Sequence, residues 1–255
     1  ENSDANTLAS SDAIVELIRE EQAYLAFLNQ WQDSQGRKMG VGHQDTSQQM
    51  SSSSSSSLSD EMSSHQSVLS NMIDALNSVL WDDQQGYFVA QNTSTGLPIQ
   101  NIVYLAAFPL FGGSTVLSQE RADSISQRIN QTDMMSIYGL RSTSTQDPRF
   151  SNANTIYPYS NWRGPVWVVA NAVVAYGLAE FGHTELAYEI VSRITSTLAL
   201  DLKNTNTWHE CYDSGNETDN GNGEGLAAEG FLSWNTLGYR LMDDIQNGIN
   251  PFSLN

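Results

Sequence analysis

Residues 165–201, PVWVVANAVVAYGLAEFGHTELAYEIVSRITSTLALD, decide the class of fold. Residues 165–181 are apolar on nearly every side, which is typical of a helix that is buried all round. Pro165 suits the first turn of such a helix, because its missing N–H needs no partner there. Residues 184–201 follow with apolar side chains at helical spacing. The stretch therefore predicts two consecutive helices, the first of them in the core.

Helical spacing of apolar side chains recurs along most of the chain. It predicts further helices at residues 11–31, 66–82, 101–111, 118–130 and 227–245. Strand-type alternation is scarce, and Tyr87-Phe88-Val89 is the one short candidate. We therefore expect an all-α protein of about seven helices, organised as one unit over residues 1–255. Its long loops carry most of the Trp, Tyr and Gly residues, which favours a functional rim on one side.

A polar stretch interrupts this pattern between about residues 34 and 66. It includes an unbroken serine run from Ser51 to Ser57. Serine side chains supply no apolar surface to offset the entropy lost on ordering. The composition therefore predicts an exposed, flexible insertion that packs little against the core.

The charge balance restricts the classes of partner. The chain has 29 acidic and 11 basic residues, which gives a formal net charge of −18. Such a field repels nucleic-acid backbones and anionic lipid, so neither nucleic-acid binding nor membrane insertion is expected. A neutral ligand such as a sugar is not opposed. The four histidines, at positions 43, 65, 183 and 209, show no metal-ligand spacing, so no metal or other cofactor is expected.

Several features favour a secreted glycoprotein. Cys211 is the single cysteine, which excludes an intrachain disulfide framework. Glycosylation sequons occur at Asn92, Asn130 and Asn216. Lysine is scarce and serine and asparagine are abundant, and no apolar run of 18 residues is present. We expect a location in the secretory pathway or outside the cell.

The segment Tyr157-Pro158-Tyr159-Ser160-Asn161-Trp162-Arg163-Gly164-Pro165-Val166-Trp167 concentrates four aromatic rings and an arginine. Aromatic rings stack on the C–H face of a pyranose, and polar side chains bind its hydroxyl groups. The segment therefore indicates a sugar site. Core packing is the alternative for both tryptophans, and it is the stronger interpretation for Trp167.

Two more segments carry chemistry. Glu210 lies in Trp208-His209-Glu210-Cys211-Tyr212-Asp213, where a carboxylate beside aromatic residues in a predicted loop has the setting of a general base. A lone glutamate in a loop is more often simply solvated. Residues 221–234, GNGEGLAAEGFLSW, form a glycine-rich loop that follows no strand and has no lysine, which argues against phosphate binding.

Together these motifs resemble glycoside hydrolase family 63, which includes processing α-glucosidases. The resemblance rests on Asn161–Trp167, on Glu210-x-Tyr212-Asp213, and on the glycine loop with Gly230-Phe231-x-x-Trp234. Residues 80–87 and 106–110 are similar to segments of the related family 37 trehalases. The similarity covers roughly residues 10–30 and 66–245. It places this chain in the C-terminal part of a catalytic domain.

The resemblance implies an (α/α)6 toroid, incomplete in this chain, and an inverting α-glycosidase. Glu210 matches the base that activates water. The positions that line the sugar pocket match Trp162, Arg163, Glu224 and Trp234. The alternative is a non-catalytic carbohydrate-binding or structural protein derived from the same toroid.

The resemblance leaves the general acid open. The family acid is an aspartate upstream of the first predicted helix, and Asp4 and Asp45 are only weak candidates for it. An N-terminal half of the same precursor, or a separate partner chain, is expected to supply the acid and the remaining helices. Apolar helix faces of an incomplete toroid would also require such a partner.

Overall fold

A computed structural model describes residues 8–39, 51–100, 102–154, 160–215 and 222–252, with only the backbone described for 35–39 and 51–56. Its α-helices are α1 (Ser11–Met39), α2 (Ser51–Val79), α3 (Gln119–Gln131), α4 (Val168–Glu180), α5 (Thr184–Thr205) and α6 (Leu237–Gln246). Two 3-10 segments span Tyr104–Gly112 and Trp234–Thr236.

The strands are short, and each described sheet pairs strands in antiparallel fashion. They are β1 (Leu8–Ala9), β2 (Trp81–Asp82), β3 (Tyr87–Phe88), β4 (Ala90–Asn92), β5 (Leu97–Ile99), β6 (Met135–Ser136), β7 (Gly139–Leu140), β8 (His209–Tyr212) and β9 (Gly225–Glu229). One sheet has the order β1-β4-β5, and the others are the pairs β2-β3, β6-β7 and β8-β9. The largest described sheet therefore has three strands, and the helices supply most of the core.

Helix α4 lies at the centre of the molecule. It packs against α5, α6 and the 3-10 segment Tyr104–Gly112. Gly177 allows that last contact, since a Cβ at this position would lie 2.6 Å from the Cβ of Leu110. Val168, Val174 and Leu178 are completely buried, as the apolar sequence of this segment predicts.

The polar stretch at 34–66 differs from the prediction, because helical backbone extends into it from both sides. Helix α1 continues to Met39 and α2 begins at Ser51, before the predicted start at residue 66. The two helices pack together, and Tyr24 donates a hydrogen bond of 2.5 Å to Glu61. His65 lies 2.7 Å from Glu21. These contacts offset the helix propensity of serine, which is only about 0.5 kcal/mol per residue below that of alanine. Residues 40–50 lie outside the described residues.

Two predicted α-helices take other forms. Residues 104–112 form a 3-10 helix that contains Pro109, whose missing N–H cannot make an α-helical hydrogen bond. The predicted helix at 227–245 is wrong in its first half, where Gly225–Glu229 is strand β9. Gly230 has φ 74° and ends that strand, so α6 begins only at Leu237.

Candidate active site

The two functional segments of the sequence meet through backbone hydrogen bonds. Val166 and Tyr212 exchange two of them, with N···O distances of 2.8 and 3.0 Å. Val166 also bridges to Arg141 on its other side. Residues 161–167 are therefore held between the strand that carries Glu210 and the segment around Arg141.

Glu210 occupies β8 rather than the predicted loop. In the β8-β9 register His209 pairs with Glu229 and Cys211 pairs with Leu226, so Glu210 faces both Ala227 and Ala228. This is a β-bulge, and bulges commonly redirect a side chain near functional sites. Ala227 has φ 63°, a left-handed conformation that L-residues other than glycine adopt only at a cost. The backbone opposite Glu210 is thus locally strained.

The Glu210 carboxylate is half-buried, and burial raises its pKa above the ordinary value. No hydrogen bond or ion pair to its side chain occurs within the described ranges. The neighbouring Cys211 thiol is fully buried, and burial together with the charge of Glu210 raises the pKa of the thiol to about 12. Of these two neighbouring groups, Glu210 is therefore the one that ionises more readily.

A buried polar network fixes the strand on either side of Glu210. Asp201, at 3% exposure, accepts from the His209 backbone N–H at 3.1 Å and lies 2.9 Å from His209 Nδ1. Asn235 donates to the His209 carbonyl oxygen at 2.7 Å. The Tyr212 pKa is raised, chiefly by burial and then by the charge of Asp201. Both ends of β8 are thus anchored by buried groups that have little freedom to move.

Gly225 completes the packing under His209. A Cβ at position 225 would lie 2.0 Å from His209 Nδ1, a distance that no real contact permits. Only glycine therefore fits at position 225 of the glycine-rich loop, because the His209 imidazole packs directly against it. Packing accounts for the glycine here, and no role in phosphate binding is required.

An aromatic stack runs beside Glu210. Trp162 lies parallel to Trp167, with ring centroids 3.8 Å apart and an interplanar angle of 9°. Tyr104 stacks on the same Trp162 at 5.3 Å, and Trp234 lies 5.9 Å from Trp167. Trp167 is completely buried, whereas Trp162 and Trp234 are half-buried. Trp167 therefore serves the core, and its two neighbours present ring surface at the rim.

The stack reaches the Glu210 backbone directly. Trp234 Nε1 donates a long hydrogen bond of 3.4 Å to the Glu210 carbonyl oxygen. Trp167 Nε1 donates to the Asn161 carbonyl oxygen at 2.9 Å, which ties the stack to the preceding loop. Trp162 and Trp234 thus both contact Trp167, and Trp234 contacts the backbone of Glu210.

Arg163 and Glu224 lie at the margin of this group. Arg163 is exposed, and its backbone is fixed by a 2.9 Å hydrogen bond from its N–H to Asn161 Oδ1. Glu224 is exposed beside Asn222, whose Nδ2 donates to it at 2.8 Å. Glu224 comes just before Gly225, which pairs with Tyr212 in the β8-β9 register. It therefore lies roughly 10 Å along the strand from Glu210, at about 3.3 Å per residue.

Sequence reasoning missed two features of the site. Tyr104 was assigned to a helix and given no role, because its contact with Trp162 joins segments that are distant in sequence. Asp201 ends a predicted helix and gives no sequence signal of its partnership with His209. The candidate acids Asp4 and Asp45 lie outside the described residues, as do residues 157–159 of the aromatic segment.

No group of three potential metal-binding side chains occurs within the described part of the chain. The histidines there each face one carboxylate instead: His65 faces Glu21, His183 faces Asp123, and His209 faces Asp201. None of the described helices is both long and apolar enough to cross a membrane.

Comparison with known proteins decides the family. Residues 52–232 match the mannosylglycerate hydrolase MGH1-like glycoside hydrolase domain. The chain belongs to this glycoside hydrolase family. A mannosylglycerate hydrolase of Thermus thermophilus is 30% identical over 155 residues, which cover 61% of this chain and 32% of that protein. Mannosylglycerate hydrolase MGH1 of Selaginella moellendorffii is 30% identical over 111 residues, which cover 44% of this chain and 21% of that protein.

Solved structures of family members and of a trehalase share the fold. A crystal structure of the family 63 mannosylglycerate hydrolase of Thermus thermophilus superposes with a TM-score of 0.58 and 25% identity, over 72% of this chain and 39% of that one. Neutral trehalase of Saccharomyces cerevisiae gives a TM-score of 0.65 at 16% identity, over 94% of this chain and 38% of that one. The family resemblance and the (α/α)6 toroid class are confirmed. The chain spans about a third of the length of these relatives.

The bulge opposite Glu210 yields a matched pair of substitutions. Ala227→Gly removes a left-handed alanine, a relief of about 1–2 kcal/mol that offsets the entropy cost of glycine, so the free energy of unfolding should stay equal or rise. Ala228→Gly changes an alanine of the same strand that is not left-handed. It should therefore lower the free energy of unfolding by about 0.5–1 kcal/mol. Urea unfolding measures both values. Equal losses in the two variants would contradict the strained bulge.

Proposed function

We propose that this chain carries the general base of an inverting α-glycosidase, with Glu210 activating the attacking water. The observation that supports this role most strongly is the Glu210 carboxylate itself, half-buried and without a hydrogen bond from the described residues, beside an aromatic stack. A structural glutamate at such a position would normally have a partner, because a buried charge without one is costly.

The raised pKa of Glu210 suits a base that works near neutral pH. A general base must be ionised when it takes the proton, and its strength as a base increases with its pKa. Burial raises the pKa of Glu210 while leaving the carboxylate accessible to water. The buried Asp201–His209 pair holds the strand, so the carboxylate keeps a fixed direction.

The half-buried rings of Trp162 and Trp234 support sugar binding. Each presents a flat apolar surface at the rim, backed by the buried ring of Trp167. Pyranose C–H faces stack on such surfaces, and a rigid backing reduces the entropy lost on binding. Inversion further requires an acid about 6.5–9.5 Å from the base, with space for water between them.

The charges around the site favour a neutral saccharide, and we propose an α-glucoside. Glu210, Asp213 and Glu224 lie on or beside the β8-β9 hairpin, in a chain of net charge −18. The one specific alternative is mannosylglycerate, which gives its name to the relatives and carries a carboxylate. Arg163 is the exposed cation next to Trp162 that would pair with such a carboxylate.

We also propose that the general acid comes from a further segment or partner chain that packs against α1. Large apolar side chains are exposed there, with Leu17 at 52%, Phe27 at 57% and Trp31 at 51%. An apolar face of this kind is typical of a surface covered by protein. The secretory location stays a prediction; Asn130 of one sequon is exposed at the end of α3.

Substitution of the base tests the proposed chemistry. In the complete protein, with the segment or partner that supplies the acid, Glu210→Gln should lower turnover of an α-glucoside by about 10²–10⁴-fold while saccharide binding persists, because the amide cannot take a proton from water. In the unsubstituted enzyme, turnover should fall as pH falls through the raised pKa of Glu210, at higher pH than for an ordinary glutamate. The same raised pKa means that ionisation of Glu210 costs stability as pH rises, so Glu210→Gln should unfold at higher temperature at neutral pH.

Glu229→Gln is the matched control, since Glu229 is an exposed carboxylate on the neighbouring strand β9. It should leave both turnover and its pH dependence unchanged. Turnover that survives Glu210→Gln would contradict the assignment of the base. Saccharide binding without turnover in the unsubstituted, complete protein would favour the non-catalytic alternative.

The substrate is tested by comparing trehalose and p-nitrophenyl α-glucoside with mannosylglycerate. We expect higher kcat/KM for the neutral compounds, because the carboxylates of the site repel the anion. Arg163→Gln should leave the neutral substrates unaffected and weaken use of mannosylglycerate by about fivefold, the scale of an exposed ion pair. Preference for mannosylglycerate would overturn the α-glucoside proposal and leave the glycosidase proposal standing.

The partner proposal is tested with the 255-residue chain purified by itself. We expect no measurable hydrolysis of α-glucosides or trehalose between pH 4 and 8, roughly the range in which a carboxylate pair operates, because the leaving oxygen lacks an acid. Robust turnover by this monodisperse chain would contradict the proposal. Asp4 or Asp45 would then become the first choice as the acid.

A further inference from the structure

Tyr104 and Asp12 lie at the end of the aromatic stack, away from Trp234. Tyr104 is half-buried, and its ring stacks on Trp162 at 5.3 Å with an interplanar angle of 30°. Its backbone N–H donates to the Ser142 carbonyl oxygen at 3.2 Å, in the segment that pairs with residues 164–166. The ring is therefore held in place by the same backbone that holds Trp162.

Helix α1 places a carboxylate beside this ring. Ser11 is buried and donates from Oγ to the Leu105 carbonyl oxygen at 2.7 Å, which joins the first turn of α1 to the residue after Tyr104. Asp12 follows immediately. Burial raises the pKa of Tyr104, and the charges of Asp12 and Glu16 raise it further, so both carboxylates act on the phenol.

The polar groups of this pair lack partners within the described residues. Asp12 Oδ1 is buried and accepts no hydrogen bond, although the side chain as a whole is only half-buried. Within the described residues the Tyr104 hydroxyl is bonded to no side chain; burial and neighbouring charge alone account for its raised pKa. A buried carboxylate oxygen without a donor costs free energy, and native structures usually retain one for a reason.

We infer that the Tyr104 hydroxyl and the Asp12 carboxylate form a saccharide-binding edge that exchanges hydrogen bonds with the hydroxyl groups of a sugar packed against the Tyr104 end of the aromatic stack. Sugar hydroxyls supply the donors that Asp12 lacks, and the phenol supplies one O–H. A neutral polyol fits, because an anionic group would meet Asp12 and Glu16. This inference rests on the proposed saccharide site and assigns it a specificity-determining pair outside the sequence motifs.

The test uses the full chain and measures binding of maltose and trehalose by isothermal titration calorimetry. Tyr104→Phe keeps the stacked ring and removes only the hydroxyl, so affinity should fall by about 3–10-fold. Asp12→Asn should weaken binding by about 10-fold or more, because a bond to a charged acceptor is stronger. The double variant should lose less than the product of both factors if the two groups hold the same hydroxyl.

Matched controls separate binding from folding. Tyr188→Phe on α5 and Asp74→Asn on α2 alter a tyrosine and an aspartate away from the stack, and should leave affinity unchanged. The melting temperature of each variant is measured alongside, because Asp12 also lies in the first turn of α1. Rescue of the Asp12→Asn loss by a deoxy sugar that lacks the contacted hydroxyl would support a direct contact.

The outcomes distinguish this inference from the proposed function. If Trp162→Ala abolishes binding while Tyr104→Phe and Asp12→Asn bind as the unsubstituted chain does, the saccharide site stands and the edge is overturned. If the unsubstituted chain binds neither sugar, the α-glucoside proposal and the edge both fail, while the role of Glu210 as the base is decided separately by the turnover of Glu210→Gln. Loss of affinity in both edge variants at unchanged melting temperature supports the pair.

Discussion

The paired backbone hydrogen bonds between Val166 and Tyr212 are the constraint on which the site depends. They join two segments that are distant in sequence and hold the segment that carries Trp162 beside the strand that carries Glu210. Backbone pairing of this kind is insensitive to side-chain identity, so the segments can carry unusual residues and still remain in register. Helix α4 begins at Val168, directly after the pairing, and anchors it in the core.

Buried contacts hold strand β8 rigidly, while the facing strand β9 has a strained backbone. Asp201, His209, Asn235 and Tyr212 form buried contacts that hold β8, while Ala227 is left-handed where β9 faces Glu210. Local strain persists only where the surrounding structure determines the conformation fully. The buried network provides that determination, and the result is a carboxylate aimed by its backbone rather than by hydrogen bonds to its own oxygens.

The site is acidic, as is the chain as a whole. Acidic residues lie at both ends of the aromatic stack: Trp234 is bonded to the backbone of Glu210, and the charge of Asp12 acts on Tyr104. Aromatic surface between two acceptor groups suits a neutral polyol, whose C–H face and hydroxyl groups meet each in turn. The strong negative charge of the whole chain opposes anions but leaves such a ligand unaffected.

Local sequence patterns determined much of this protein. The apolar run that includes Val174 predicted a buried helix, and it is one, because helical periodicity and burial are properties of the segment itself. The motif order around Trp162 and Glu210 identified the family. Tertiary structure decided what no local pattern contains: the strand at Gly225–Glu229, the helical backbone of the serine run, and the contact of Tyr104 with Trp162. For strand β9 and for Tyr104 the partner lies in another segment, and that pairing overrides the weak preference of glycine or alanine for any one conformation.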